Sequence, residues 1–268
     1  MDTQPRLESW VSGAAYDPFM GRWSGRIAHE FLRWLGPRGG ECWLEMGCGT
    51  GALTRTITEM TAPGLVLATD RSTAYVTYAR QRADAPVRLV AADATRLPIR
   101  PGVAHTVVSG LLLNFLPVPA AGVLEMVRVA RVGGTVAAYV WDYAGGMELL
   151  RFFWDTAVEL DSTAASLDEG GRFPVCEPRE LTRLWQEAGL VEVQSSAVQV
   201  PTLFHDFEDY WDPFLGAQGP APAYAASLSG PHRVALRERL RARLPRGTGG
   251  QIQLSARAWT VRGRRAPT

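Results

Sequence analysis

Glu45-Met46-Gly47-Cys48-Gly49-Thr50-Gly51 is the stretch of this chain with the clearest chemical capacity. An apolar run ends in an acid, passes three glycines at alternate positions and enters a helical pattern at Ala52. Glycine adopts φ > 0 and lets a ligand approach bare backbone, while a helix N-terminus presents unpaired N–H groups. The spacing predicts strand, tight turn and helix holding a nucleotide-like molecule. Gly47, Gly49 and Ala52 also satisfy the looser pattern G-x-G-x-x-G/A, so the glycines alone leave a nicotinamide cofactor open. Asp70 and Asp93 end two later apolar runs. In a parallel sheet the strand ends converge, so both acids can face one ligand. Asp70 suits a pair of ribose hydroxyls, with a helix N-cap as the alternative. Asp93 suits an adenine amino group, with a turn cap as the alternative.

Other side chains supply candidates for the reacting partner. Asn114, the only asparagine, follows the fourth predicted strand and suits a substrate-orienting hydrogen bond or a turn. Of the four histidines, His105 reads as structural and His29 and His232 as solvated, which leaves His205, beside Asp206, as a candidate base. His205, Asp206 and Asp209 have only local spacing in favour of a metal, and none is expected. Trp141, Tyr143, Phe173, Phe204, Trp211 and Phe214 are candidate walls of an apolar pocket. Cys42, Cys48 and Cys176 make an odd count without a C-x-x-C pair, which argues against a disulfide framework and a zinc site. Cys48 reads as a space-filler. Every basic residue other than histidine is arginine, and without lysine no Schiff base can form and no tyrosine–lysine pair can serve hydride transfer.

These residues need a scaffold, and the apolar pattern supplies one. An amphipathic helix over Trp23–Leu35 is stopped by Gly36-Pro37. Strands are predicted over Glu41–Met46, Leu65–Thr69, Val87–Ala91, His105–Ser109 and Thr135–Trp141, with helices between them. The helix from Pro119 to Arg131 is expected to be closed by Gly133-Gly134. Near-continuous apolar strands alternating with helices signal a parallel sheet covered on both faces. Beyond Trp141 come a helix over Glu148–Leu160, a loop over 161–178, a helix from Pro178 and a strand over Val191–Val200. An insertion from His205 to Leu244 ends in an arginine-rich helix, and a last strand covers Gln251–Val261.

At 268 residues the chain can bury a sizeable core, and its 46% hydrophobic and 21% charged residues are ordinary for a soluble globular protein. No apolar run approaches the ~20 residues of a membrane span, and the first residues lack the layout of a signal peptide. A cytoplasmic location without membrane contact is expected. The net charge of +1 gives no overall attraction to polyanions, yet ten arginines and only Glu238 among acids fall within 231–268. A solvated helix face is the expected reading, against nucleic-acid binding, with an acidic substrate as the intermediate possibility.

Taken together, Glu45-x-Gly47-x-Gly49-x-Gly51, Asp70, Asp93 and Arg128-Val129-Ala130-Arg131-Val132-Gly133-Gly134 resemble the landmarks of class I S-adenosylmethionine-dependent methyltransferases. The resemblance extends over about residues 16–261. With the lead-in Tyr16-Asp17-Pro18-Phe19-Met20-Gly21-Arg22-Trp23, it is closest to the small-molecule and quinone-biosynthesis-like branch. It implies a single α/β methyltransferase domain over 1–268: a Rossmann-like, seven-stranded, doubly wound sheet with the last strand antiparallel. A helical lead-in (1–40) and a small helical cap from insertions at 144–176 and 202–248 would complete it. It implies S-adenosylmethionine held by Tyr16, Trp23, Glu45, Gly47, Cys48, Gly49, Gly51, Asp70, Arg71, Asp93, Ala94 and Leu111, with Glu45 toward the cofactor's cationic amino-acid end. The acceptor is expected to be a small, largely apolar or aromatic metabolite. Methylation of RNA or protein, or cofactor binding without catalysis, stays open, as does the oligomeric state.

Overall fold

Alternating apolar strands and amphipathic helices assemble into one seven-stranded sheet in the computed structural model, which describes residues 17–83, 85–216 and 219–267. The strands are β1 (Cys42–Met46), β2 (Leu65–Asp70), β3 (Val87–Ala91), β4 (Ala104–Gly110), β5 (Ala130–Trp141), β6 (Leu190–Phe204) and β7 (Ile252–Arg265). Their order is β3-β2-β1-β4-β5-β7-β6, and only β7 runs against its neighbours. This is the expected Rossmann-like sheet with its last strand reversed. The order turns back between β1 and β4, so a crevice opens at their C-terminal ends.

Helices α1 (Arg22–Leu35), α2 (Ala52–Thr61), α3 (Thr73–Arg80) and α4 (Pro119–Val129) serve the first half of the sheet. α1 buries Trp23, Ile27, Phe31, Leu32 and Leu35 at helical spacing, and Gly36 closes it in the left-handed conformation. The second half carries α5 (Glu148–Leu160), α6 (Glu169–Arg172), α7 (Pro178–Glu187), α8 (Phe207–Trp211), α9 (Pro220–Ser227) and α10 (Gly230–Arg243).

Three boundaries depart from expectation. Arg131–Gly134 do not close a helix: α4 ends at Val129 and β5 begins at Ala130. Pairing jumps from Ala104↔Ala130 to Thr106↔Thr135, so β5 carries the extra residues as an irregularity. Gly134 is required there because a Cβ would lie 2.8 Å from the Arg131 carbonyl oxygen and 3.0 Å from that of His105. β6 runs on to Phe204 because β7 pairs with it as far as Phe204↔Ile252, and Pro201 is tolerated because β6 is a sheet edge. The predicted loop 161–178 folds into two short 3₁₀ turns around α6.

The insertions after β5 and after β6 pack on each other. Phe153 of α5 stacks on Phe214 at 4.5 Å between centroids, and the Tyr210 hydroxyl donates to the Leu149 carbonyl at 2.9 Å. The arginines of α10 stay inside this assembly. Arg237 and Arg241 both donate to the Glu208 carboxylate, Arg243 pairs with Glu159, and Arg233 donates to the carbonyls of Ala225, Ala226 and Leu228 at the C-terminal end of α9. Later arginines do the same for other helices: Arg262 donates to Trp34 and Leu35, Arg265 to Arg128 and Ala130. The arginine excess of the C-terminal segment is spent largely on carbonyls and carboxylates within the protein.

Candidate functional site

The glycine turn is held by β2 beside it. The amides of Gly47 and Cys48 both donate to the Thr69 carbonyl at 2.8 Å, and Gly51 N–H closes the turn on the Cys48 carbonyl at 2.8 Å. Gly47 has φ 79° and would place a Cβ 2.6 Å from Leu112 Cδ2, so it accepts no side chain. Above Gly49, also left-handed, a Cβ would meet nothing within 4 Å. The turn is thus closed toward β4 and open toward the crevice.

Asp70 links this turn to β2. Its Oδ2 accepts from Gly49 N–H and its Oδ1 from Ser72 N–H, each at 2.9 Å. Ser72, not Asp70, caps α3 by accepting from Tyr75 N–H. Burial raises the Asp70 pKa, and the two amides oppose that shift. Each carboxylate oxygen keeps a lone pair for a further donor, which is what a ribose diol offers. Glu45 lies under the turn, 1% exposed, and accepts from the Thr54 hydroxyl. Burial pushes its pKa up to about 7, the Thr54 bond lowers it and Asp70 raises it. A cation above the turn would restore its charge.

Other expected cofactor contacts are dispersed in character. Asp93 is exposed and accepts from the Thr95 amide and hydroxyl through Oδ1, both at 2.8 Å. The turn cap is therefore realised, those bonds lower the Asp93 pKa, and neither uses Oδ2. Arg71 is exposed nearby and Ala94 is half-buried. Cys48 is buried and its thiol is pushed far up by burial, so it fills space. Leu111 holds φ 58°, rare for a branched residue, with its N–H on the Tyr139 carbonyl at 2.9 Å. Trp23 is buried against Phe204 at 5.5 Å, and its indole N–H has no hydrogen-bond partner among the described residues. Tyr16 lies outside the described residues.

On the opposite lip, Asn114 sits in a 3₁₀ turn, Leu113–Phe115, after β4. It is 7% exposed, and its Nδ2 has no partner among the described residues. Such a donor needs an acceptor that the described residues do not provide. Phe115, which sequence reasoning passed over beside Asn114, meets Phe173 edge-on at 5.8 Å, and Tyr143 lies 5.7 Å from Phe173. Arg151 fixes this corner by donating to the Tyr143 carbonyl at 2.9 Å and gripping Asp168 at 2.6 Å. Trp141, 2% exposed, ends β5 below it.

The six aromatics expected to wall one pocket divide into two groups. Phe204, Trp211 and Phe214 are buried in the cap: Phe214 is stacked on Phe153, Trp211 is 6.2 Å from Phe214, and Phe204 packs on Trp23 and Tyr210. Ring packing holds them there. His205 is exposed beside an open groove lined by none of Glu45, Gly49, Asp70 or Asn114. Asp209 does not orient its ring, since Arg22 holds that carboxylate at 2.7 and 3.1 Å and the second oxygen also takes the His205 backbone N–H. Asp206 caps α8. No group of three or more His, Cys, Asp or Glu among the described residues could hold a metal. His105 Nδ1 accepts from the Cys42 amide, and His232 bonds Ser229.

A glycine turn, an anchored carboxylate and a buried acid at the reversal of strand order can seat an adenosyl group with a cationic tail. Comparison with known proteins agrees in kind. Residues 44–138 match the methyltransferase domain family. This stretch runs from β1 into β5 and contains the turn, Asp70, Asp93 and Asn114. The chain is 28% identical over 156 residues to an uncharacterised chloroplastic methyltransferase of Arabidopsis thaliana, across 55% of this chain and 42% of that protein. It thus spans less than half the length of that curated relative. In fold it is similar to a putative methyltransferase of Bacillus halodurans (TM-score 0.58, 16% identity, 90% of this chain and 99% of that one). It is also similar to a geranyl diphosphate methyltransferase solved with S-adenosylmethionine (TM-score 0.55, 17% identity, 96% and 92%). A Haloferax volcanii putative methyltransferase bound to the Trm112 activator superposes with TM-score 0.57 at 18% identity over 99% and 100% of the chains. Among the described residues no helix is long and apolar enough to cross a membrane.

Proposed function

We propose that this chain transfers a methyl group from S-adenosylmethionine to a small, largely apolar or aromatic metabolite. The observation that carries the reading is Asp70, fixed by the Gly49 and Ser72 amides with lone pairs free, beside a glycine turn open above Gly49. In this reading Asp70 takes the ribose hydroxyls, the turn amides and Glu45 face the amino-acid end, and Asp93 Oδ2 faces the adenine. Arg71, Ala94, Leu111 and Trp23 border the same ligand. The bound sulfonium supplies an activated methyl group, so the protein has mainly to align an acceptor and exclude water. Asn114 Nδ2 donates to an acceptor oxygen or nitrogen, and Phe115, Tyr143 and Phe173 enclose its apolar part. The insertions at 144–176 and 202–248 form its cap, and His205 is not needed as a base.

The fold neighbour named as a geranyl diphosphate methyltransferase is consistent with an apolar acceptor, as is the resemblance of the Tyr16–Trp23 lead-in to the quinone-biosynthesis-like branch. The engaged arginines of α10 leave RNA methylation without a comparable feature. Incubation with labelled S-adenosylmethionine and host small-molecule extract, read by mass spectrometry, is expected to yield a methylated metabolite. Calorimetry is expected to show S-adenosylhomocysteine binding; absence of heat with any adenosyl compound would sink the reading. Label appearing in tRNA or protein, but not in small molecules, would replace the acceptor class. We further propose a cytoplasmic location, which fractionation of the host tests.

A further inference from the structure

Between the N-terminal turn of α1 and the far ends of β6 and β7 lies an open groove of about 790 Å³. Its apolar surface comes from Leu203 and Pro245, both exposed, since Trp23 and Phe204 line it but are buried beneath the Arg22 guanidinium, and its rim is cationic, from Arg22, Arg26 and Arg246. Among the described residues no aspartate or glutamate lines it. Arg22 is neutralised from behind by Asp209 at 2.7 Å. Arg26 and Arg246 are different: neither has a carboxylate within ion-pair distance among the described residues. Arg26 makes one long bond to the Pro201 carbonyl at 3.4 Å and lies 5.5 Å from the Trp23 ring, while Arg246 donates to the Arg241 carbonyl.

A lone exposed arginine is ordinary, but two unpaired guanidiniums converging on one concavity are not a solvated convex face. α10 shows the contrast, since there Arg237, Arg241 and Arg243 each find an acid. Each guanidinium at the groove keeps donors for a planar or tetrahedral oxyanion, its preferred partner. The volume falls within the ~300–1,000 Å³ of small-molecule pockets. An apolar patch at Leu203 and Pro245 beside a cationic rim selects an amphiphilic anion.

We propose that this groove binds a small molecule with an apolar body and one oxyanion group, a carboxylate or a phosphate, at a site apart from the crevice of Asp70 and Asn114. This site does not rest on the methyltransferase reading. The test is calorimetry on the full chain with phenyl phosphate, benzoate and inorganic phosphate as probes, and S-adenosylhomocysteine as the reference ligand. Phenyl phosphate or benzoate is expected to bind more tightly than inorganic phosphate, and the stronger of the two names the oxyanion. Arg26→Gln and Arg246→Gln should each weaken that probe about tenfold or more, as loss of a charge-assisted contact does, and leave S-adenosylhomocysteine within about twofold. The proposal is overturned if neither organic probe binds at millimolar concentration, or if both variants bind the probe as the wild type does. It is also overturned if the variants lose S-adenosylhomocysteine in parallel, for the groove would then belong to the cofactor. Probe binding without any S-adenosylhomocysteine binding would keep the groove as an anion site and remove the methyl-transfer reading.

Discussion

The crevice between β1 and β4 and the cap formed by the two insertions are held by different forces. In the crevice the contacts are backbone amides on a carbonyl or a carboxylate, as where Gly47 and Cys48 share Thr69 and Gly49 and Ser72 share Asp70. In the cap they are rings on rings, Phe153 on Phe214 and Phe204 on Tyr210, with Arg–Glu pairs on the outside. Amide geometry tolerates few residue types, so a site built from it is chemically specific and largely preformed. Ring packing tolerates many residues of similar volume. One scaffold can thus keep its donor site while its acceptor site varies, and the two halves should be separable by mutation.

Asp70→Ala should separate them most sharply. Two charge-assisted hydrogen bonds to a ribose diol are worth roughly 1.5–3 kcal/mol each, so S-adenosylhomocysteine should bind at least about a hundredfold more weakly by calorimetry. The cap contains no partner of Asp70, and its ring packing should persist in the near-ultraviolet spectrum. Unchanged affinity would mean that the crevice is not the donor site.

Phe214→Ala is the complementary lesion. Phe214 is 0% exposed and touches Phe19, Phe153, Tyr210 and Trp211. Emptying that position should cost about 3–5 kcal/mol in denaturant unfolding. S-adenosylhomocysteine affinity should stay within about twofold. If it falls with stability, the cap and crevice are one unit and the contrast between them fails.

The same division decided what could be read from the sequence. The turn, Asp70 and the parallel strands were legible because glycine spacing and near-continuous apolar strands report local backbone demands, whereas the reversed last strand was implied only by the family resemblance. Residues 131–134 misled because Gly133-Gly134 looks the same at a helix end and at a strand irregularity; the neighbouring His105 carbonyl makes the difference. The cap was poorly legible because its decisive contacts lie far apart in the chain. Tyr210 reaches Leu149 across 61 residues, and Arg243 reaches Glu159 across 84. For the same reason Phe204, Trp211 and Phe214 looked like pocket walls, though each is enclosed by partners from other segments. Phe115 carried no signal of its own until Phe173 was placed against it.

A pH comparison sharpens the contrast at smaller amplitude, because each half holds one buried acid raised to about 7. Burial is the main cause in both cases: Glu45 under the turn and Glu169 against Trp154 are each raised from 4.5 to about 7. Between these values the folded state binds more protons than the unfolded one. The stability each contributes is full below pH 4.5 and is lost as pH rises through about 7. Glu169→Gln should flatten that decline in denaturant midpoints from pH 5 to 8 and leave ligand binding alone. Glu45 should behave differently, since the ammonium of an amino-acid end seated against it favours the carboxylate. Binding of S-adenosylhomocysteine at pH 7 should release about half a proton, read from calorimetry in buffers of different ionisation enthalpy. The release should survive Glu169→Gln and vanish in Glu45→Gln; the opposite pattern would exchange the roles of the two acids.

The outer clamp of the cap should matter least. Glu208 takes bonds from both Arg237 and Arg241, which lower its pKa, yet its side chain is 45% exposed. Exposed pairs are screened by water and salt, so the clamp competes poorly with the rings beneath it. The two guanidiniums also lie over the Phe207 ring, at 5.3 and 4.2 Å, and keep that contact when the charge of Glu208 is removed. Glu208→Gln should therefore lower the melting temperature by only about one or two degrees at low salt, and the difference should disappear near 0.5 M sodium chloride. A loss as large as that of Phe214→Ala, persisting in salt, would make the arginine helix the main brace of the cap. Its composition would then reflect load carried by ion pairs, and the division between an amide-built crevice and a ring-built cap would have to be redrawn.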